Sequence, residues 1–104
     1  MGAIKGVLKE ELVNSLSLLK WYQDEAEKLK GALVKKKIAG RVYYYRARRQ
    51  KGKVKFHYLG PGSSLIKKAH RERRESLAKY KKMIARVKNQ IKFLKRALRG
   101  KETV

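Results

Sequence analysis

The chain has 104 residues, no cysteine, one proline, and 30 Lys+Arg against 8 Asp+Glu, for a formal net charge of +22. That length leads us to expect one compact domain whose core is too small for a roomy substrate cleft, and the lack of cysteine excludes disulfides and thiolate metal sites. No run of about 18 apolar residues offers a membrane span, and Met1–Lys5 does not lead into the apolar block of a signal peptide. From Ile4 onward the apolar residues fall at Ile4, Leu8, Leu12, Leu16, Leu19, Tyr22, Ala26 and Leu29. Steps of four and three place them on one stripe, which predicts an α-helix over about 3–30 with Gly31 as its stop. The period then changes to two. Leu33–Ile38 predicts a strand over 32–38, the run Val42–Arg46 a strand over 41–48, and the alternating Lys53–Tyr58 a strand over 53–59. Gly52 suits a positive φ at the bend before the last of these, and a bare hairpin is the fallback to the three-stranded meander. After Gly60-Pro61-Gly62, Ser63 or Ser64 can cap a second helix over 63–99. Its stripe runs through Leu65/Ile66, Ala69, Leu77, Tyr80, Ile84, Val87, Ile91, Leu94 and Leu98, with Arg73 the one charged residue in register. The expected fold is α+β: two long antiparallel amphipathic helices, a helical hairpin or short coiled coil, flanking a small two- or three-stranded antiparallel meander. Whether the helices pair within one chain or between two is open in the pattern, so a homodimer stays among the expectations.

The run GALVKKKIAGRVYYYRARRQKGKVKFHYLG, Gly31 to Gly60, resembles a signature in a family of small uncharacterised domains from archaea, bacteria and their mobile elements. The shared features are a leading Gly-x-Leu-Val, a glycine before a Tyr-rich strand, a Gly-Lys-Val and a closing Tyr-Leu-Gly, between long helices. The resemblance implies the fold and leaves activity open. Arg49, Gln50 and Lys51 before Gly52 depart from the family's Tyr-x-Gly-Gly-Lys bend and make this loop more basic.

Charge is unevenly placed. Residues 1–34 hold five bases and five acids; residues 35–62 hold ten bases and no acid; residues 63–104 hold fifteen bases and three acids. An excess needed only for solubility has no reason to begin at residue 35. Two surfaces collect it. In the sheet, if Val54, Phe56 and Tyr58 point inward with Tyr43 and Tyr45, alternation sends Lys53, Lys55, His57, Tyr44, Arg46 and Arg48 outward, with Lys35 and Lys37 from the first strand. Arg49 and Lys51 extend this face at the bend. A basic ribbon of that kind can enter the major groove of B-form DNA. Edge protection against aggregation is the bland account, but it needs one or two charges, not ten without an acid.

On the second helix, positions 67, 71, 74, 78, 81, 85, 88, 92, 95 and 99 read Lys67, Arg71, Arg74, Ala78, Lys81, Ala85, Lys88, Lys92, Lys95 and Arg99. Eight bases and two alanines without an acid oppose helix stability, since like charges four residues apart cost a few tenths of a kcal/mol each. Neutralisation by phosphates accounts for such a stripe, although the five acids of the first helix could offset part of it. The aromatics of the sheet read as core, with Tyr44 as the one candidate contact.

Catalysis finds no support. His57 and His70 lack a cysteine or acid cluster to complete a metal site, Glu72 and Glu75 sit among Arg71, Arg73 and Arg74, and no Gly-rich phosphate loop precedes a helix. The expectation is therefore a non-enzymatic, cofactor-free nucleic-acid-binding protein, with double-stranded DNA favoured. A structured-RNA or ribosome-associated protein and a coiled-coil oligomerisation module are the alternatives. The role would be that of a mobile-element or viral regulator or an architectural protein, without membrane attachment. The expected place is the cytoplasm, on the nucleoid, or the host cytoplasm or virion if the protein is viral.

Overall fold

The structure is a computed structural model that describes residues 2–102, with side chains for residues 4–100. Its elements are α1 (Gly2–Leu29), β1 (Ala32–Ile38), β2 (Arg41–Gln50), β3 (Lys53–Pro61) and α2 (Ser64–Glu102). The sequence therefore places each element to within about three residues. The chain divides into two compact units: a helical one, α1 with α2 from Lys79 onward, and a sheet unit, Leu29–Ala78.

In the helical unit the buried and half-buried positions include 8, 12, 15, 19, 22 and 26 on α1 and 80, 84, 87, 91, 94 and 98 on α2. Steps alternating four and three are the seam of a coiled-coil pair. The pairing is antiparallel, because contact positions fall on one helix as they rise on the other. Trp21 and Tyr22 bring their rings to 6.1 and 6.0 Å from that of Tyr80, and Gln90 Nε2 donates to Glu11 Oε1 at 3.3 Å. In this register Leu8 comes level with Leu94, Ser15 with Val87 and Tyr22 with Tyr80. The helical hairpin thus forms within one chain. Four expected stripe members are corrected: Ile4 (51%), Leu16 (44%) and Leu65 (75%) are exposed, as is Ala69, while Ser15 is 4% exposed and His70 rather than Ala69 is half-buried. A strict alternation from Leu8 and Leu12 lands on position 15, and Leu16 lies one step round the helix on its flank.

In the sheet unit the strands form an antiparallel meander in the order β1-β2-β3. Both hairpins close with two residues at positive φ, Ala39-Gly40 (52° and 80°) and Lys51-Gly52 (51° and 78°). Paired left-handed residues are the signature of type I′ turns, whose twist matches that of the strands. Gly31, expected as a helix stop, has a second reason to be glycine. Its φ is +144°, and a Cβ there would lie 2.9 Å from Arg46 Cγ. Near the far end of β3 the register slips, with Tyr44 opposite Gly60 and Tyr45 opposite Tyr58, so Leu59 is the extra residue of a bulge. Gly62 N then donates to Val42 O at 2.7 Å, and Ser63 Oγ accepts from Ile66 N at 3.3 Å, which makes Ser63 the N-cap of α2.

These two bonds turn the chain back over one face of the sheet. Gly60 approaches Ile66, and Lys35, Val42 and Tyr44 share a depression with Ser63, Ser64 and Lys67. A second depression joins Gly31, Ala32 and Leu33 to His70 and Arg74. The first turns of α2 therefore lie against the face that carries Val42, Tyr44 and Arg46.

Candidate nucleic-acid interface

The strand alternation is as expected, but the start of α2 lies on the face expected to point outward, whose lysines nevertheless stay exposed. Tyr44, expected as an outward contact, is 5% exposed and is the most buried side chain of the sheet. Arg46 and Arg48, expected outward with it, are half-buried. Conversely Val54, Phe56 and Tyr58, expected inward, are exposed, with Phe56 at 51% and Tyr58 at 57%, and Tyr43 and Tyr45 are half-buried. The reason is the direction of the connection into α2. Alternation decides which residues share a face, whereas the Gly62–Val42 and Ser63–Ile66 bonds decide which face receives the helix.

The covered face is therefore polar at its centre. Arg46 lies near Arg73, and burial first, then Arg73, lowers the guanidinium's pKa from its usual value. His70 is held below the ordinary histidine value of 6.5 by burial first, then by Arg74, Arg46 and Arg73. His70 thus lies among cationic groups of the sheet and of α2, with the exposed Arg74 lining the same depression. The stripe expected from the sequence ran through Ala69, which is exposed; the half-buried positions are instead Ile66, His70 and Arg73, with Tyr80, Ile84, Val87 and Ile91 following, so taking His70 in place of Ala69 gives the signal. A helix stripe that turns polar packs on a polar face.

The opposite face is aromatic and open to solvent. Tyr58 lies 6.4 Å from Tyr43 and 5.4 Å from Tyr45, centroid to centroid, in tilted arrangements. The Lys36 ammonium sits 4.8 Å from the Tyr45 ring centre and 4.7 Å from that of Phe56. Ile38, Tyr43, Tyr45 and Tyr58 line an open depression of about 380 Å³. Sequence reasoning took these aromatics for core.

The remaining sheet candidates, Lys35, Lys37, Arg49, Lys51, Lys53, Lys55 and His57, are all exposed. So is every residue of the α2 stripe: Lys67, Arg71, Arg74, Ala78, Lys81, Ala85, Lys88, Lys92, Lys95 and Arg99. Among the described residues none of those eight bases makes an ion pair with a carboxylate, whereas Lys28 on α1 pairs with Glu25 at 3.0 Å. Among the described residues no group of His, Asp and Glu is arranged to hold a metal ion, and no helix is long and apolar enough to cross a membrane.

Compared with models of known protein families, with curated proteins and with solved structures, the chain gives no match. The resemblance carried by Gly31–Gly60 rests on those residues alone.

Proposed function

We propose that this chain is a nucleic-acid-binding protein without a catalytic role, and that it holds its ligand mainly by phosphates, with duplex DNA as the first ligand to test. One observation carries the reading: an acid-free stripe of eight exposed bases along α2, none of them in an ion pair with a carboxylate among the described residues. Within the helical unit, from Lys81 to Arg99, the stripe extends about 27 Å at a rise of about 1.5 Å per residue. Ala78 and Ala85 leave room for a phosphate backbone to approach closely. Binding of this kind is driven by counterion release and shows little dependence on sequence. Tyr44 is buried and Arg46 and Arg48 are half-buried, so direct reading of base edges falls to the exposed Arg49, Lys53 and Lys55. A nucleoid-bound, architectural or mobile-element protein, or a virion protein if the source is a virus, fits that chemistry.

The test is duplex binding measured across salt concentrations. Contact with six phosphates gives a log–log slope of about −5, at about −0.9 per phosphate. Replacing Lys81, Lys88, Lys92 and Lys95 with Gln should flatten the slope by about 3.6 and weaken binding at 0.1 M salt by roughly three to four decades. A flat salt response of the natural protein ends the reading. Structured RNA in place of the duplex tells whether A-form geometry is preferred.

A second reading has its own support in the helical unit. Val7, Leu18 and Trp21 on α1, and Met83 and Phe93 on α2, are exposed. They lie on the two flanks that the Gln90–Glu11 hydrogen bond joins, hence on one side of the hairpin. An apolar strip of that kind supports pairing with a second copy, α1 acids toward α2 bases. Sedimentation at a single monomer mass over a wide concentration range removes this reading.

A further inference from the structure

We propose that the solvent-facing side of the sheet, built from Tyr43, Tyr45, Phe56 and Tyr58 around Lys36, binds the unpaired bases of a single-stranded nucleic acid. This rests on the nucleic-acid reading above and names the strand state that one surface selects. Large apolar surfaces left in water are uncommon in small domains and mark contact sites. Here Phe56 and Tyr58 each keep about half their area exposed. The rings are tilted at 46° and 56° to one another, not stacked, so each leaves part of its π-face open to another planar group. A base supplies that group, and stacking tolerates any base because every base has a π-face.

Charge selects the occupant. Lys36 stands between the rings of Tyr45 and Phe56, and an apolar protein partner would have to strip water from its ammonium without replacing it. A phosphodiester chain neutralises it instead. The sequence from 35 to 62, which includes this face and both of its turns, holds no carboxylate to repel that chain. Duplexes keep their base faces stacked inside the helix, so this surface favours unpaired strands, whereas the α2 stripe meets phosphates of either form. Exposed aromatics with cations beside them on a sheet face offer such strands both stacking and charge neutralisation.

The experiment compares a short oligothymidylate with an abasic oligomer of equal length and phosphate number, by fluorescence anisotropy. The natural protein is expected to bind the oligothymidylate at least about tenfold more tightly, the effect of roughly one base–ring stack. Phe56→Ala combined with Tyr58→Ala should bring it down to the abasic level with an unchanged salt slope. Phe56→Trp should retain the preference. Both side chains are exposed, and circular dichroism checks that the fold is kept. An oligouridylate of the same length separates RNA from DNA, and capture of either above its abasic control supports the surface. Equal, salt-dependent binding of oligothymidylate and abasic oligomer overturns the proposal while leaving the phosphate reading intact. Absence of binding to both removes the two together. A dimer that Phe56→Ala dissolves, with the two oligomers bound equally, would show that a second copy covers the face, and also overturns it.

Discussion

The helical unit and the sheet unit solve the same problem, covering an apolar surface in a chain of net charge +22, in opposite ways. Across the hairpin, apolar residues face each other: Val87, Ile91, Leu94 and Leu98 are buried on α2, and the charged positions are outside. In the sheet unit, Tyr44 alone of the aromatics is buried, two half-buried arginines share its face, and the aromatic face looks into solvent. Hydrophobic burial therefore accounts for the first unit and not for the second. What decides the second is local: two type I′ turns, a bulge at Leu59, and two hydrogen bonds that direct α2. The contrast implies that the helical unit supplies stability and that the sheet unit supplies an exposed surface.

The sharpest way to break this contrast is a pair of truncations. Leu94→Ala removes a buried side chain from the hairpin seam and should cost about 2–5 kcal/mol, the range for large-to-small changes in packed cores. Phe56→Ala removes a ring of greater volume that already stands half in water, with a cation–π contact worth about 0.5–1 kcal/mol. Its expected cost is below about 1 kcal/mol. Urea denaturation followed by circular dichroism measures both. If Phe56→Ala proves as costly as Leu94→Ala, the aromatic face is a core and not an open surface.

How much of this was legible follows the same division. The heptad spacing of Leu77, Tyr80, Ile84, Val87, Ile91, Leu94 and Leu98 specifies which side of α2 is buried, because a helix stripe has only one way to face a partner, while pairing within one chain rather than between two was not encoded in it. The exchange of Leu16 for Ser15 is a one-position error that a strict four-three count removes. A strand has two faces of equal geometric standing, and Tyr43-Tyr44-Tyr45 offers an aromatic to both. Hydropathy then points to the face with Phe56, whereas the helix is delivered to the face with Tyr44 by bonds from Gly62 and Ser63 that no periodicity encodes. The polar stretch of the α2 stripe, His70 and Arg73, was the available clue. The α2 basic stripe, by contrast, follows from helical spacing alone, and all of its bases are exposed.

The polar packing of the sheet unit should appear in its pH dependence. His70 is held below its ordinary value of 6.5 by burial and by Arg74, Arg46 and Arg73. As pH falls through about 6.5 the unfolded chain takes up a proton that the folded chain resists. Stability is therefore fully present above that pH and is lost as pH falls toward the depressed value. Thermal unfolding monitored from pH 7.5 to about 5, above the carboxylate range, should show a falling Tm. His70→Asn should flatten the curve in that window. An unchanged slope in the variant would mean that the histidine is not engaged between sheet and helix.

The smallest effect tests the local devices that set the sheet against the hairpin. Ala39 and Lys51 both adopt a left-handed backbone at the first position of a two-residue turn, where a side chain with Cβ is strained by roughly 1–2 kcal/mol and asparagine is better tolerated. Lys51→Asn also removes a charge from the basic loop, so Ala39→Asn is the cleaner probe. It should stabilise the protein by about 0.5–1 kcal/mol, or about 3–6 °C in Tm if the two units melt together. Should the helical unit melt separately, the gain would be confined to the sheet amides, and native-state hydrogen exchange would find slower exchange in β1 and β2 with no change at Val87 or Leu94. That second outcome sharpens the contrast most, because it makes the sheet an independently opening surface carried by a hairpin that stays closed.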